Sequence, residues 1–594
     1  MLSYAKISCT LTLCAVIVAV QGTERYVEQF QLSESYTDFI QEKVDLAKKY
    51  LFHEGSRRGS ELTESGKCWA CKILAETLHT LVVQKRPEHD IVEICTDICI
   101  KGKIEDERVC RYITREYKDM AITVVQQAVL TPDQICGTIL GPSCATPYNP
   151  MDMWNISLPN TPKPPVKPPQ PPAPGSPKVR FLQLTDIHID MMYQPGRSAD
   201  CNEPVCCRSN DAKPGAGETG AGRWGDYRGC DVPLSLLDNL FQDLASKAHQ
   251  IDFVIFTGDI TAHDVWNQSR SDQLSALERL VSHFDKYLPG KQVYFCAGNH
   301  DSAPCDSFPP NFITGNNSID WMYSAMADNW GRWLPPETRD TIMRGGFYTM
   351  SPFQGFRIIS VNNIFCYSGN WWLLINNTDP NGQLQWLAET LQKAEDAGEK
   401  VFILTHIPTD CMKSWSWNYY NIVSRYESTI VGQFNGHTHT DEFRVYYDVA
   451  NLTRPVNVAY VGGSVTPYSN NNPNYRIYTM DGFYANSSFA VLDYEDYIFD
   501  LRKNNNGSSA SWDLEYSPLT EYGMEGSYPS DWNNLIYRMK DDDALFNKFI
   551  THKSRGGDLT PCTRGCKTDM LCHLKSGRSD DPELCKDLLG EDEE

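Results

Sequence analysis

Apolar positions along the chain fall into two alternating patterns. Short, nearly unbroken apolar runs occur at 179–184 (VRFLQL), 252–257 (DFVIFT), 292–297 (QVYFCA), 357–361 (RIISV), 401–404 (VFIL) and 456–461 (VNVAYV). Each reads as a buried strand. Between them, stretches such as 234–249 and 383–396 repeat apolar residues at helical spacing. Strands with intervening helices predict a layered α/β domain. Helical patterns also occur at 71–83, where Ile73, Leu74, Leu78, Leu81 and Val82 share a face, and over 518–594. No internal repeat is apparent.

Composition divides this pattern into regions. At 594 residues the chain is too long for one ordinary core. Residues 159–177 hold ten prolines in nineteen positions. Such a stretch joins neither a helix nor a central strand. It predicts a stiff polyproline-like stretch, reaching roughly 60 Å at about 3.1 Å per residue, within a linker over 148–178. The formal charge of −22 excludes a nucleic-acid binder. It also predicts weak attraction to anionic surfaces at neutral pH, relieved as carboxylates and the 13 histidines take up protons.

Lys6 and the uncharged run Ile7 to Val20 predict a secretory signal over 1–22 rather than a membrane anchor. No other stretch is long and apolar enough to span a bilayer, and the closing Glu-Asp-Glu-Glu does not fit an anchor-addition tail. Seven Asn-x-Ser/Thr sequons, at Asn155, Asn267, Asn316, Asn376, Asn451, Asn486 and Asn506, predict glycosylation. Secreted or lysosomal residence follows as the expectation. Nineteen cysteines lie beyond the signal, so at least one thiol stays free or pairs between chains.

Before the linker, residues 63–147 carry Cys68, Cys71, Cys95, Cys99, Cys110, Cys136 and Cys144 between helical patterns. A zinc reading of Cys68-x-x-Cys71 lacks a second closely spaced pair, and an oxidising compartment favours disulfides. The spacing resembles a saposin domain. That resemblance implies an all-α, lipid-binding unit with bridges Cys68–Cys144, Cys71–Cys136 and Cys99–Cys110. Residues 66–148 hold 10 Lys+Arg and 11 Asp+Glu, a net of −1. This segment is therefore the part most able to approach a membrane.

After the linker, strand-like runs end in polar signatures: Asp186-Ile-His188, Gly258-Asp259, Gly298-Asn299-His300-Asp301 and His406, followed by Gly436-His437-Thr438-His439. Strand ends at one edge of an open α/β sheet gather residues into a common crevice. Carboxylate, amide and imidazole donors suit zinc, manganese or iron rather than calcium. Each signature is weak alone; all five in this order point to a two-metal centre. Asp259 is the natural bridging carboxylate, and the glycines let the backbone turn tightly beside the ions.

The series resembles the calcineurin-like metallophosphoesterase superfamily. The resemblance implies a two-sheet sandwich flanked by helices. It implies one metal on Asp186, His188 and His439, a second on Asn299, His406 and His437, and Asp259 shared. Ala262 stands where purple acid phosphatases carry an iron-binding tyrosine. The cations expected are two Zn2+, with other divalent ions still open.

The whole arrangement of signal (1–22), saposin-like segment (63–147), linker (148–178), phosphoesterase core (179–517) and helical cysteine-bearing tail (518–594) resembles the acid sphingomyelinase family. The segment Thr257-Gly258-Asp259-Ile260-Thr261-Ala262-His263-Asp264-Val265-Trp266 and the cluster Cys201, Cys206, Cys207 and Cys230 carry the likeness. It implies bridges Cys201–Cys206, Cys207–Cys230, Cys366–Cys411, Cys562–Cys566 and Cys572–Cys585, leaving Cys95, Cys296 and Cys305. It implies hydrolysis of sphingomyelin to ceramide and phosphocholine by a metal-activated hydroxide, on a membrane lipid surface reached through the saposin-like unit. His300, beside Asn299, is the best general acid, and His263 is placed at the phosphate. A monomer is expected. A secreted nucleotide phosphodiesterase and a non-catalytic lipid-binding protein are the rival readings.

Overall fold

The computed structural model describes residues 64–588 apart from 102–103, 142–143, 145–152, 168, 508–509, 558–561 and 563. The predicted signal, 1–22, lies outside the described residues.

Two six-stranded sheets form the centre of the molecule. The first has the order β12-β11-β10-β1-β2-β3, with β1 (Lys178–Leu184), β2 (Phe253–Phe256) and β3 (Gln292–Phe295) parallel. Its remaining strands, β10 (Asn474–Asp481), β11 (Val491–Ile498) and β12 (Asp513–Tyr516), run antiparallel to their neighbours. The second has the order β4-β5-β6-β7-β9-β8. Its parallel strands are β5 (Phe356–Ser360), β6 (Lys400–Leu404), β7 (Ile430–Asn435) and β9 (Asn451–Val461). β4 (Tyr348–Phe353) and β8 (Glu442–Asp448) close its edges antiparallel.

Aromatic rings lock the sheets face to face. Phe181 on β1 lies 5.4 Å from both Phe402 on β6 and Phe434 on β7. Helices cover the outer faces. Helix Leu234–Lys247 buries Leu236, Leu237, Leu240, Phe241 and Leu244, and each such side chain contributes about 1.5–3 kcal/mol. Helix Arg270–Tyr287 starts at a reciprocal Ser269–Asp272 capping box.

All six apolar runs of the sequence are strands. The unread strands are β4, β7, β8, β10, β11 and β12. β7 and β10 are buried but not apolar throughout. Gln433 on β7 accepts from the Tyr419 hydroxyl at 2.7 Å and donates to Asn457 at 2.9 Å. Arg476 on β10 is ion-paired with Asp441 and with Asp496. Partners supplied from distant segments replace the apolar pattern there.

Among the described residues, five helices precede the linker: α1 (Glu64–Val83), α2 (Glu88–Lys101), α3 (Glu107–Glu116), α4 (Lys118–Gln127) and α5 (Pro132–Leu140). Disulfides Cys68–Cys144, Cys71–Cys136 and Cys99–Cys110 close them. The unit does not hang from the linker as a free arm. Arg108 forks onto Glu203, the Tyr117 hydroxyl donates to the Cys305 carbonyl at 3.3 Å, and the Tyr117 ring lies 5.3 Å from Trp371. The described linker has no helix or strand, but it is laid along the surface of the two-sheet domain. The Ile156 N–H donates to Asn418 at 3.0 Å, Arg425 donates to the Thr161 carbonyl at 2.9 Å, and Lys163 pairs with Glu427. Proline-rich backbone leaves its carbonyls open to such donors.

The structure also joins Cys201–Cys206, Cys207–Cys230, Cys366–Cys411, Cys562–Cys566 and Cys572–Cys585. Cys95, Cys296 and Cys305 are free and buried, and burial pushes the Cys95 thiol up to about 12, so it is inert. The seven sequon asparagines are all exposed. Helices Pro529–Asp541, Asp543–Lys553 and Arg564–Lys575 follow the strands. Trp532, Leu535, Ile536 and Phe549 share one core with Phe443 of β8 and Tyr460 of β9, so the C-terminal region is packed into the sandwich.

Glu116, at the end of α3, faces helix Arg270–Tyr287 of the two-sheet domain. Burial pushes its carboxyl up to about 7, partly offset by Arg270, with Asp119 and Asp272 adding to the rise. A raised folded value stabilises the protonated form. This contribution is complete below the unfolded value of 4.5 and is lost as pH rises towards 7. Glu116→Gln should flatten the melting temperature between pH 5 and pH 7.5 relative to wild type. An unchanged slope would show that Glu116 carries none of it.

Candidate metal centre

The carboxyl ends of β1, β2, β3, β6 and β7 meet at one edge of the sandwich, and each is followed by a polar signature. β1 leads to Asp186 and His188, β2 to Asp259, β3 to Asn299 and His300, β6 to His406, and β7 to His437 and His439. All nine candidate metal and catalytic residues, with His263, therefore come to one place from across the chain. The backbone there is strained. Asp186, His188, Asp259, His437 and His439 all have φ between +47° and +72°. Such values in non-glycine residues persist only where surroundings enforce them. The turning expected of the glycines is thus largely done by the ligand candidates. Gly436 serves by having no side chain: a Cβ would lie 2.0 Å from Thr185 Oγ1 and 2.4 Å from Asp186 Oδ2.

Two trios of donor atoms converge. His188 Nε2 is 3.2 Å from His439 Nε2, and Asp186 Oδ1 is 3.4 Å from His439 Nε2 and 3.9 Å from His188 Nε2. Asn299 Oδ1 is 2.9 Å from His406 Nε2 and 2.9 Å from His437 Nδ1. Asp259 Oδ2 lies between the trios, 3.4 Å from His188 Nε2 and 3.2 Å from His406 Nε2, with no well-directed hydrogen bond of its own. Bonds of about 2.0–2.1 Å to one small cation place neighbouring donors roughly 2.9–3.4 Å apart.

The ring nitrogens facing away support the same fit. His188 Nδ1 lies 2.7 Å from the Thr261 carbonyl, and His406 Nδ1 lies 2.6 Å from the Thr257 carbonyl. A carbonyl can only accept, so each Nδ1 carries a proton, and once the ring is neutral Nε2 holds the lone pair that faces Asp259. Asp306 accepts from Asn299 Nδ2 at 2.8 Å, which turns the amide oxygen towards the imidazoles. Asp301 accepts from the Gly298 N–H at 2.7 Å and the Ile260 N–H at 2.9 Å, tying two signatures together.

The electrostatics require positive charge. Burial alone would lower His188 and His406, but Asp186 and Asp259 hold His188 up at about 10, and Asp259 holds His406 up at about 9. Burial alone would raise Asp186 and Asp259, but the neighbouring imidazoles hold both carboxyls below the usual range. Burial, with His406, lowers His437 to about 3. Without a cation the centre retains protons; metal ligation must displace them, so loading weakens as pH falls.

His263 and His300 line the same pocket. Ring nitrogens of His188, His263 and His439 lie within 4.8 Å of one another, as do donor atoms of His188, Asp259 and His300. The His300 backbone N–H donates to Asp259 Oδ1 at 2.8 Å. The sequence did not point to Asp231. It is fully buried and accepts from His263 Nδ1 at 2.8 Å, from the His263 N–H at 2.7 Å and from Thr466 Oγ1 at 2.9 Å. The His263 ring is clamped between His188, 3.9 Å away, and Tyr468, 4.0 Å away. Asp231, Thr466 and Tyr468 stand in no motif and reach the site only through tertiary folding.

Residues 179–441 match the family model described as calcineurin-like phosphoesterase, and residues 454–579 match that of the acid sphingomyelin phosphodiesterase C-terminal region. The chain is 47% identical over 527 residues to sphingomyelin phosphodiesterase of Homo sapiens, covering 88% of this chain and 83% of that protein. It is 47% identical over 526 residues to the Bos taurus protein of the same name, covering 88% and 84%. It is 32% identical over 547 residues to sphingomyelin phosphodiesterase 2 of Caenorhabditis elegans, covering 88% of each.

Asp259→Asn removes the negative charge between the trios. Metal content per chain, measured by mass spectrometry, should fall together with phosphoesterase activity. A variant that keeps its full metal while losing activity would contradict the shared-carboxylate role.

Proposed function

The chain belongs to the acid sphingomyelinase family, and from that premise we propose that it hydrolyses the phosphodiester of sphingomyelin to ceramide and phosphocholine. It is a phosphoric diester hydrolase. The observation that carries the reading is Asp259 Oδ2 held between the Nε2 atoms of His188 and His406. Asp186, His188 and His439 would hold one divalent ion, Asn299, His406 and His437 the other, with Asp259 shared. The mixed nitrogen and oxygen donors favour Zn2+ for both. Such a pair supplies Lewis-acid stabilisation of phosphoryl oxygens and lowers the pKa of a water.

The residues of the chain handle the proton and the orientation. The lipid alkoxide is a poor leaving group and needs a proton as the P–O bond breaks. His300 and His263 are the candidate donors, with His300 adjoining the ligand candidate Asn299 and its backbone N–H on Asp259 Oδ1. Burial holds both imidazoles well below their usual value and so favours the neutral form, whereas an anionic phosphodiester beside them would favour the protonated form that donates. Asp231 fixes the tautomer of His263 through Nδ1, so that Nε2 is the ring atom turned towards the pocket. Tyr468 and His188 prevent the ring from turning.

The five disulfide-closed helices are read as a saposin-like lipid-binding unit. Their apolar interior and near-neutral charge support contact with a bilayer, and Tyr117 joins them to Trp371 on the catalytic side. Eight disulfides support a secreted or lysosomal setting, and no helix among the described residues is long and apolar enough to cross a membrane. Every candidate site residue comes from one chain, which supports a monomer as the working unit.

Sphingomyelin vesicles should be hydrolysed in preference to a soluble nucleotide diester at both pH 5 and pH 7. Rapid nucleotide cleavage with intact sphingomyelin would overturn the substrate. His300→Gln should abolish turnover with both metals retained. Asp231→Asn should lower kcat by about 100-fold with metal content unchanged. Loss of metal from either variant would contradict its assigned role.

A further inference from the structure

We propose that Arg555, in the C-terminal region, is a positioning residue for the metal centre that acts through the backbone of His439. This rests on the two-metal reading above. Arg555 follows helix Asp543–Lys553, is completely buried and has φ +51°. A buried guanidinium normally faces a carboxylate, as Arg476 faces Asp441 and Asp496. Among the described residues no carboxylate lies within 4.0 Å of Arg555. Its donors go instead to the loops behind the metal ligands. Nη1 donates to the His439 carbonyl at 3.0 Å, Nε to the Asn472 carbonyl at 2.6 Å and Nη2 to Ser464 Oγ at 3.2 Å.

These contacts lead to both halves of the site. Ser464 Oγ donates to the Thr466 carbonyl at 2.7 Å, and the Thr466 N–H donates to the Asp186 carbonyl at 3.0 Å. Thr466 Oγ1 holds Asp231, which holds His263. One planar fork therefore ties the loop carrying His439 to the loop braced against Asp186 and Asp231. The anchor is itself fixed. Asn472 Nδ2 donates back to the Arg555 carbonyl at 2.8 Å. The Asp441 N–H donates to the Lys553 carbonyl at 2.9 Å, and Lys553 Nζ reaches Thr440 and Glu442, each at 2.8 Å. A Cβ at residue 463 would lie 2.3 Å from Arg555 Nη1, so only glycine admits the guanidinium.

The chemistry follows from geometry. His439 has φ +56°, and the direction of its ring depends on how its peptide is held. Lysine offers a point charge in place of the fork and cannot hold three acceptors in one plane. Removing a group that orients a metal ligand weakens metal binding by about 10–100-fold.

The test uses the full-length, metal-loaded protein. Melting temperature, metal per chain, the rate of metal loss to EDTA, and kcat and KM on bis(4-nitrophenyl) phosphate are measured for wild type and Arg555→Lys. Lys548→Gln, on the exposed face of the helix that precedes Arg555, is the control. Arg555→Lys should lose metal about tenfold faster or more, with kcat reduced and KM little changed. Excess divalent metal should restore kcat, and the control should behave as wild type. Metal loss at the wild-type rate, or failure of excess metal to restore kcat, overturns the proposal. If Arg555→Lys does not fold, Ser464→Ala must show the faster loss; a wild-type rate there overturns it equally. A wild-type chain that binds no metal sinks the two-metal reading, whereas two metals with unchanged release from Arg555→Lys sink this inference alone.

Discussion

The edge where the parallel strands end is governed by a crowding of lone pairs. Asp259 Oδ2, the Nε2 atoms of His188, His406 and His439, and Asn299 Oδ1 point at one another in a buried space. The Thr257 and Thr261 carbonyls hold the Nδ1 protons of His406 and His188, which leaves both Nε2 atoms facing inward. Only protons or cations reconcile such an arrangement. The left-handed φ values of five ligand candidates belong to the same constraint. Each such residue costs about 1–3 kcal/mol, offset by hydrogen bonds that hold the turn, such as that from the Asp186 N–H to the Gly258 carbonyl at 2.9 Å.

Parallel strands explain how a centre can be assembled from residues 186 to 439. Each strand brings its signature to the same edge, and the two sheets face each other through Phe181, Phe402 and Phe434. The distance along the chain is therefore irrelevant to the distance in space. The tight glycine at Gly436 shows how little room this leaves.

What could be read from the sequence follows from this geometry. Strands that are apolar along their whole length, such as Phe253–Phe256, announce themselves, and so do the ligand signatures that follow them. β10 does not, because Arg476 is buried by partners from other segments. Asp231 was hidden for the same reason. It follows Cys230 in an irregular stretch, and its meaning comes from His263 and Thr466, which lie 32 and 235 residues away. The left-handed ligands were also invisible, since the motif glycines suggested a different source for the turns. Local periodicity records burial, whereas a buried polar side chain is explained only by whatever reaches it.

The same point bears on where function ends along the chain. The helices after the strands look like a separate tail by cysteine pattern and by helical period. In space, Trp532 and Phe549 lie in the core of the sandwich, and Lys553 and Arg555 close on the loop that carries His437 and His439. On the opposite flank, α3 and α4 touch Glu203 and Trp371 and so border the catalytic domain. A metal centre this strained needs support from several directions, and the strands supply only one of them. The flanking helices supply others, so the candidate site is braced by the folded whole rather than by the segment that carries the ligand candidates alone.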